Sequence, residues 1–371
     1  MLRHLCLLPA LHACLLATPP AEKPEKMRVD VLMEGRPDGR SYFAFPALLD
    51  TGDDEVLVCY KRGKSHAADA GAVLEVMRFH QATGKMSAVS TMASKAGGIM
   101  QMGEWARFPN GDIALYIDAQ HPEGSLRSGL EVARSTDGGR SFSQPERLGA
   151  IDGVEYGYAF DAITRGGTTW MLVMTFANLR GGKLVFPTKS QPGSVDVIRS
   201  DDNGRTWSFV HSITEELDGA PVNESAFMPH GDGFIITARG YDNRHWLART
   251  DGAFRILSRV DLNSAHESIT SHLGRPRLFE KDGSCYLLGR NWVAKGIMQL
   301  TLFRFDPHNL DLTRQVVLDN WDKKHVADGY YAQSWWNEAD GRSRFHVVTY
   351  KSGERTPPSL LHLEFEWEAV R

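Results

Sequence analysis

Two copies of one eight-residue hairpin constrain this chain more than any other feature. Ser200-Asp201-Asp202-Asn203-Gly204-Arg205-Thr206-Trp207 reads S-x-D-x-G-x-T-W, and Ser135-Thr136-Asp137-Gly138-Gly139-Arg140-Ser141-Phe142 repeats it with Phe at the close. Each position has a physical task. The Asp accepts hydrogen bonds from the N–H groups of its own turn. The Gly supplies the positive φ that a tight hairpin needs. The closing aromatic is an apolar plug for the layer beneath. Each copy follows an alternating or β-branched run, Leu130 to Arg134 and Val195 to Arg199. Together they point to a repeated β unit.

The rest of the chain carries the same period. From residue 27 onward an apolar strand, a turn with Gly and a second apolar strand recur six times. The turns are Gly52-Asp53, Asn110-Gly111, Gly166-Gly167, Asp232-Gly233, Asp282-Gly283 and Asp340-Gly341, spaced about 50 to 66 residues apart. Between them lie the two motif hairpins and a decayed copy, Thr250 to Phe254. An apparent insertion runs from Leu179 to Pro192. Six units of four strands predict an all-β fold, a six-bladed β-propeller with antiparallel blades over residues 28–371. The alternating run Leu360 to Trp367 is expected to complete the first blade. A two-sheet sandwich is the alternative, but it does not explain the period.

The ends and the composition set limits. Arg3 and His4, the apolar run Leu5 to Leu16, and Ala17 or Ala21 read as an export signal over residues 1–21. A secreted or periplasmic location follows, and Leu11-His12-Ala13-Cys14 loosely resembles a lipoprotein box. Residues 22–27 are expected to be a disordered lead-in. Beyond Leu16 no run is long enough to span a bilayer. A formal net charge of -4 gives no reason to expect nucleic acid as a partner. With only Cys59 and Cys285 after the signal, no disulfide framework is expected. No metal-ligand spacing and no phosphate loop appears, so neither metal nor cofactor is expected.

Strand parity then says where chemistry can sit. The tight hairpins and the motif hairpins share one face of the disc. The other face gathers the ends of second strands and the starts of first strands. That places Arg62, Asp118, Arg239, Arg290 with Asn291, and Lys351 near Tyr42, Glu104, Glu224, Arg275 with Arg277, and Tyr330. The loop after the first hairpin adds His66 and Asp69. Such an arginine-rich, tyrosine-rich funnel is where a propeller would take a ligand.

At this point the chain resembles the sialidase (neuraminidase) superfamily, whose propellers carry the same motif as an Asp-box. Phe45-Pro46-Ala47-Leu48-Leu49 is similar to that family's Arg-Ile-Pro-Ala-Leu opening. Asn223-Glu224-Ser225 with Ile235 to Arg239, Gly289-Arg290, and Asp328-Gly329-Tyr330 resemble the segments carrying its Glu, its later arginines and its nucleophile. The resemblance implies a retaining exo-sialidase type of hydrolase acting on terminal acidic sugars of a glycan. In it Tyr330 would be the nucleophile, Glu224 its base and Asp69 the acid/base. Arg239 and Arg290 would clamp the sugar carboxylate, with Arg62 or Arg277 as further cations and His66, Asp118 and Asn291 around them. Tyr331, one residue on, faces the other way in a strand and is the rival nucleophile. One departure stands out: Ala44 occupies the slot of the family's first Arg. A non-catalytic glycan-binding propeller, a neutral glycosidase and a lyase therefore stay open as alternatives.

Overall fold

The computed structural model describes residues 19–371 except 53, 82, 88, 123–125, 176–177, 181–182 and 186–192. The expected signal therefore lies almost wholly outside the described residues, as does most of the 179–192 insertion. Six antiparallel sheets form the blades of a propeller. Their innermost strands are Tyr42–Asp50, Ile99–Arg107, Tyr156–Arg165, Val222–His230, Leu273–Lys281 and Gln333–Ala339. Each is followed through a tight turn by its second strand, as the six Gly-bearing turns predict. Among the described residues no helix is long and apolar enough to cross a membrane.

Ring closure differs from the expectation. The C-terminal strand Ser359–Glu366 does not complete blade one. It is the third strand of blade six, and the N-terminal strand Arg28–Met33 pairs with it on the outside, Arg28 opposite Glu364 and Val31 opposite Leu361. The alternation of Leu360 to Trp367 is satisfied on both edges, which pattern alone could not assign. The lead-in is also not free. Ala21–Glu22 adds in parallel to the outer strand of blade five, Leu312–Asp319, and Arg314 holds the Glu22 carboxylate through two nitrogens at 3.0 and 2.7 Å.

The motif hairpins follow their side-chain chemistry. Asp202 Oδ1 accepts from Thr206 N–H at 2.9 Å, Asp202 Oδ2 accepts from the Thr206 hydroxyl at 2.6 Å, and Ser200 Oγ accepts from Gly204 N–H at 2.8 Å. Asp137, Ser141, Ser135 and Gly139 repeat the pattern. Each hairpin also touches the preceding blade. Arg78 donates to Gly139 O, Arg134 donates to Gly204 O, and Trp207 packs edge-on to Tyr116 at 5.8 Å. Gly204 has φ +73°, and a Cβ there would meet the Phe108 ring. The motif thus staples neighbouring blades. Hydrogen bonds from Thr206 and Ser200 hold the Asp202 carboxyl down at about 2. Asp202→Ala should lower stability by about 1–2 kcal/mol, read from the urea midpoint. Because the folded-state pKa is depressed, that contribution is present at neutral pH and fades as pH falls from about 4 toward 2.

Most of the six inner strands carry an irregularity that matters for the site. Register shifts fall near their starts at Ala44/Ala47, Met100/Met102, Val222/Ser225 and Gly274/Arg277. A bulge re-aims the side chains it carries. Phe45, Gln101, Asn223, Glu224 and Arg275 all sit in these bulges, and Phe45 and Arg275 have φ of +57° and +43°.

Candidate active site

The bulges surround a pocket of about 210 Å³ where first strands start and second strands end. Phe45, His66, Gln101, Asp118, Arg127, Tyr158, Asn223, Glu224, Arg239, Tyr241, Arg290 and Tyr331 are among its lining residues. A larger cavity of about 510 Å³ opens at the far ends of the inner strands, with Asp50, Arg107, Thr164 and Trp336 in its wall. Glu104 lines the larger one. It takes Arg275 Nη2 and Arg277 Nη2, each at 2.6 Å, in a buried knot. The larger cavity has Arg277 already spent on Glu104 and Asp161. The smaller one holds the hydroxyl–carboxylate pair described next.

Glu224 is the hub of the smaller pocket. Its Oε1 accepts from the Tyr331 hydroxyl at 2.5 Å, and its Oε2 accepts from Arg239 Nη1 at 2.5 Å and from Arg275 N–H at 3.0 Å. Burial opposes its ionisation, but Arg239, Arg290 and the Tyr331 hydrogen bond win and hold it well below the usual carboxylate range. Arg290 stacks over the Tyr331 ring, 4.5 Å from its centroid, and its Nη2 is 3.4 Å from the Tyr331 oxygen. Burial and the Glu224 charge push Tyr331 up to about 12, with Arg290 and Arg239 pulling the other way. Arg290 has no carboxylate within ion-pair distance among the described residues, so its charge faces the pocket.

Several expected residues are elsewhere. Tyr330 points away: its hydroxyl donates to Asp319 at 2.7 Å, and burial together with Asp319 raises its pKa strongly. Its φ of +68° turns the chain so that Tyr331, not Tyr330, enters the pocket. Asp69 is buried beside Lys61 Nζ at 3.3 Å and accepts from the N–H groups of Lys64 and Ser65. It organises the loop and does not line the pocket. Arg62 pairs with Glu75 across its own sheet at 2.5 Å. Arg277 is part of the Glu104 knot and lines the larger cavity, and Asn291 donates to Ser268 O at 2.9 Å outside the pocket. Glu224, Arg239, Arg290, His66 and Asp118 do line it.

Two features escaped the sequence reading. Arg127, at the start of the third strand of blade two, is a third pocket guanidinium and pairs with Asp118 at 2.7 Å. Strand parity applied to first and second strands does not include it. In place of the absent first-blade cation the wall is Phe45, whose ring lies 5.5 Å from Tyr331 and 5.0 Å from His66. Among the described residues one group of potential metal ligands, His230, Glu280 and Cys285, has donor atoms within 4.8 Å of one another. It belongs to the hairpin ends of blades four and five, away from the pocket.

No protein-family model matches the chain, and no curated protein matches it. Solved structures do. A Dyadobacter fermentans protein of unknown function is 17% identical over 94% of this chain and 99% of its own, with a TM-score of 0.70. NanB sialidase from Streptococcus pneumoniae is 10% identical over 95% of this chain and 72% of its own, TM-score 0.64. An α-L-arabinanase from Penicillium chrysogenum is 11% identical over 94% and 100%, TM-score 0.59. At these identities the likeness is one of fold. The chain shares its six-bladed scaffold with sialidases and with a hydrolase of a different sugar.

Proposed function

We propose that the chain is a retaining glycoside hydrolase that removes a terminal acidic sugar, of the exo-sialidase type. The observation that carries this is the Tyr331–Glu224 contact beneath Arg239 and Arg290 in one pocket. A phenol is a poor nucleophile until a base takes its proton. Glu224 accepts that proton in a hydrogen bond with an oxygen–oxygen distance of 2.5 Å and is ionised. Tyr331 oxygen would attack the anomeric carbon while the glycosidic C–O bond breaks, and Glu224 would take the phenolic proton. Water then displaces the tyrosyl group, which recovers its proton from Glu224. A carboxylate on the reacting carbon would repel an anionic nucleophile, and a neutral Tyr avoids that clash. Arg290 supplies an uncompensated cation for the sugar carboxylate, and Arg239 a second, shared with Glu224.

Phe45 is the observation that favours a second reading, a related carbohydrate enzyme for another sugar. An apolar wall replaces one cation of the expected clamp, so substrate range is the discriminating measurement. The purified protein should be assayed on aryl sialosides, aryl uronides and aryl arabinofuranosides. Release from an acidic sugar with retained anomeric configuration by NMR is expected. Turnover of arabinofuranosides alone, an unsaturated product absorbing in the near ultraviolet, or glycan binding with no turnover would each overturn the proposal. The apolar stretch Leu5 to Leu16 supports an exported location, which cell fractionation tests.

A further inference from the structure

Resting on the hydrolase reading, we propose that His66, oriented by Asp328, is the group that protonates the leaving oxygen. Asp69, expected in that role, is sealed off with Lys61 and two loop N–H groups. The other pocket carboxylate, Asp118, is committed to Arg127 at 2.7 Å and to Gln120 at 2.9 Å. Burial raises the Asp118 pKa against the pull of Arg127, but both of its oxygens are already bonded, one to Arg127 and one to Gln120, and protonating it would weaken its pairing with a buried guanidinium. His66 is different in each respect. Its ring borders the pocket and is half-exposed.

Asp328 decides which nitrogen is free. Its Oδ2 lies 2.9 Å from His66 Nδ1 and also accepts from the Tyr42 hydroxyl, while Oδ1 accepts from Tyr350 at 3.1 Å. Burial disfavours its charge, but His66, Tyr42 and Arg290 keep it below the ordinary carboxylate range, so Asp328 is an acceptor. Nδ1 must therefore carry the hydrogen, and Nε2 is the atom left for substrate. Nε2 makes no hydrogen bond to any described residue. The backbone is equally fixed: Lys61 Nζ and Gln101 Nε2 both donate to His66 O, at 3.2 and 2.6 Å. Phe45 packs against both rings, its centroid 5.0 Å from the imidazole and 5.5 Å from Tyr331. Acid and nucleophile thus border one cavity from adjoining walls.

The step balances simply. As Tyr331 oxygen bonds to the anomeric carbon, the glycosidic oxygen leaves with the Nε2 proton, and the imidazolium becomes imidazole. In the second step Nε2 takes a proton from the water that attacks the same carbon. The charged groups around His66 are Asp328, at 2.9 Å from Nδ1, Lys61, whose Nζ donates to the His66 carbonyl, and Arg290, which lines the same pocket.

The test compares an alkyl glycoside with a dinitrophenyl glycoside, whose leaving group needs no proton. For His66→Ala, kcat/KM on the alkyl substrate should fall by about 10²–10⁴-fold, with far less loss on the dinitrophenyl substrate. Asp328→Asn, which removes the carboxylate acceptor at Nδ1, should reproduce part of the alkyl-substrate loss with far less effect on the dinitrophenyl substrate. Asp69→Asn should act equally on both substrates. An active enzyme whose His66→Ala loss ignores leaving-group acidity would overturn this assignment alone. So would a leaving-group-dependent loss at Asp69→Asn or Asp118→Asn. A folded wild-type protein inert on every glycoside would overturn the hydrolase reading beneath it.

Discussion

Tyr331→Phe is expected to lower kcat/KM by about 10⁴-fold or more, whereas Tyr330→Phe should leave turnover near wild type and cost stability instead. The two residues are adjacent and chemically identical, so the contrast isolates position. Tyr331 gives its hydrogen to Glu224 and lies under Arg290; Phe at that site keeps the ring packed on Phe45 and Arg290 but removes the attacking oxygen. Tyr330 serves Asp319, which Lys351 also meets at 2.8 Å. Losing a hydrogen bond to a buried carboxylate costs roughly 1.5–3 kcal/mol. Steady-state kinetics and urea midpoints on both variants check the pair. Equal activity loss in the two would refute the assignment of Tyr331.

That contrast also marks how much of the fold and the site is legible in the sequence. The period of the Gly-bearing turns and the two motif hairpins were enough for the propeller, because local turn chemistry repeats. Parity led to the face that holds Glu224, Arg239, Arg290, His66 and Asp118. It failed where a strand is irregular. Simple alternation says that Tyr330 and Tyr331 diverge but not which turns inward; a positive φ decides that, and Tyr carries no signal for it. Phe45 enters the pocket through a bulge that the Ala44 slot does not announce. Arg62 was lost to a cross-strand partner, Glu75, that only the register reveals. The role of Asp69 depended on whether Lys61 was inside or out, and a buried Lys is not foreseeable from pattern.

Glu104→Gln should lower folding stability by about 3–5 kcal/mol, the penalty for leaving a buried charge unpaired. Among the described residues Glu104 is the only carboxylate paired with Arg275 and one of two paired with Arg277, and Gln333 adds a longer contact at 3.4 Å. Removing its charge leaves two guanidiniums facing each other on the propeller axis. The pocket should feel the change, because Arg275 N–H is bonded to Glu224 at 3.0 Å. Replacing Glu104 and Arg277 together with Met should recover part of the loss, which a double-mutant cycle measures. A Glu104→Gln protein as stable as wild type would show that solvent reaches the knot.

The pairing of Arg28–Met33 with Ser359–Glu366 has a kinetic consequence. The seam joins segments from opposite ends of the chain, so the last blade cannot be finished until nearly every residue is available. Contacts this distant in sequence form slowly because closing so large a loop costs entropy first. Five blades can assemble in order while the sixth waits with an open strand edge. Refolding should therefore end in a slow phase that reports on blade six, visible through the Trp335 and Trp336 environment, and a chain reopened at another blade boundary should move that phase with its new ends.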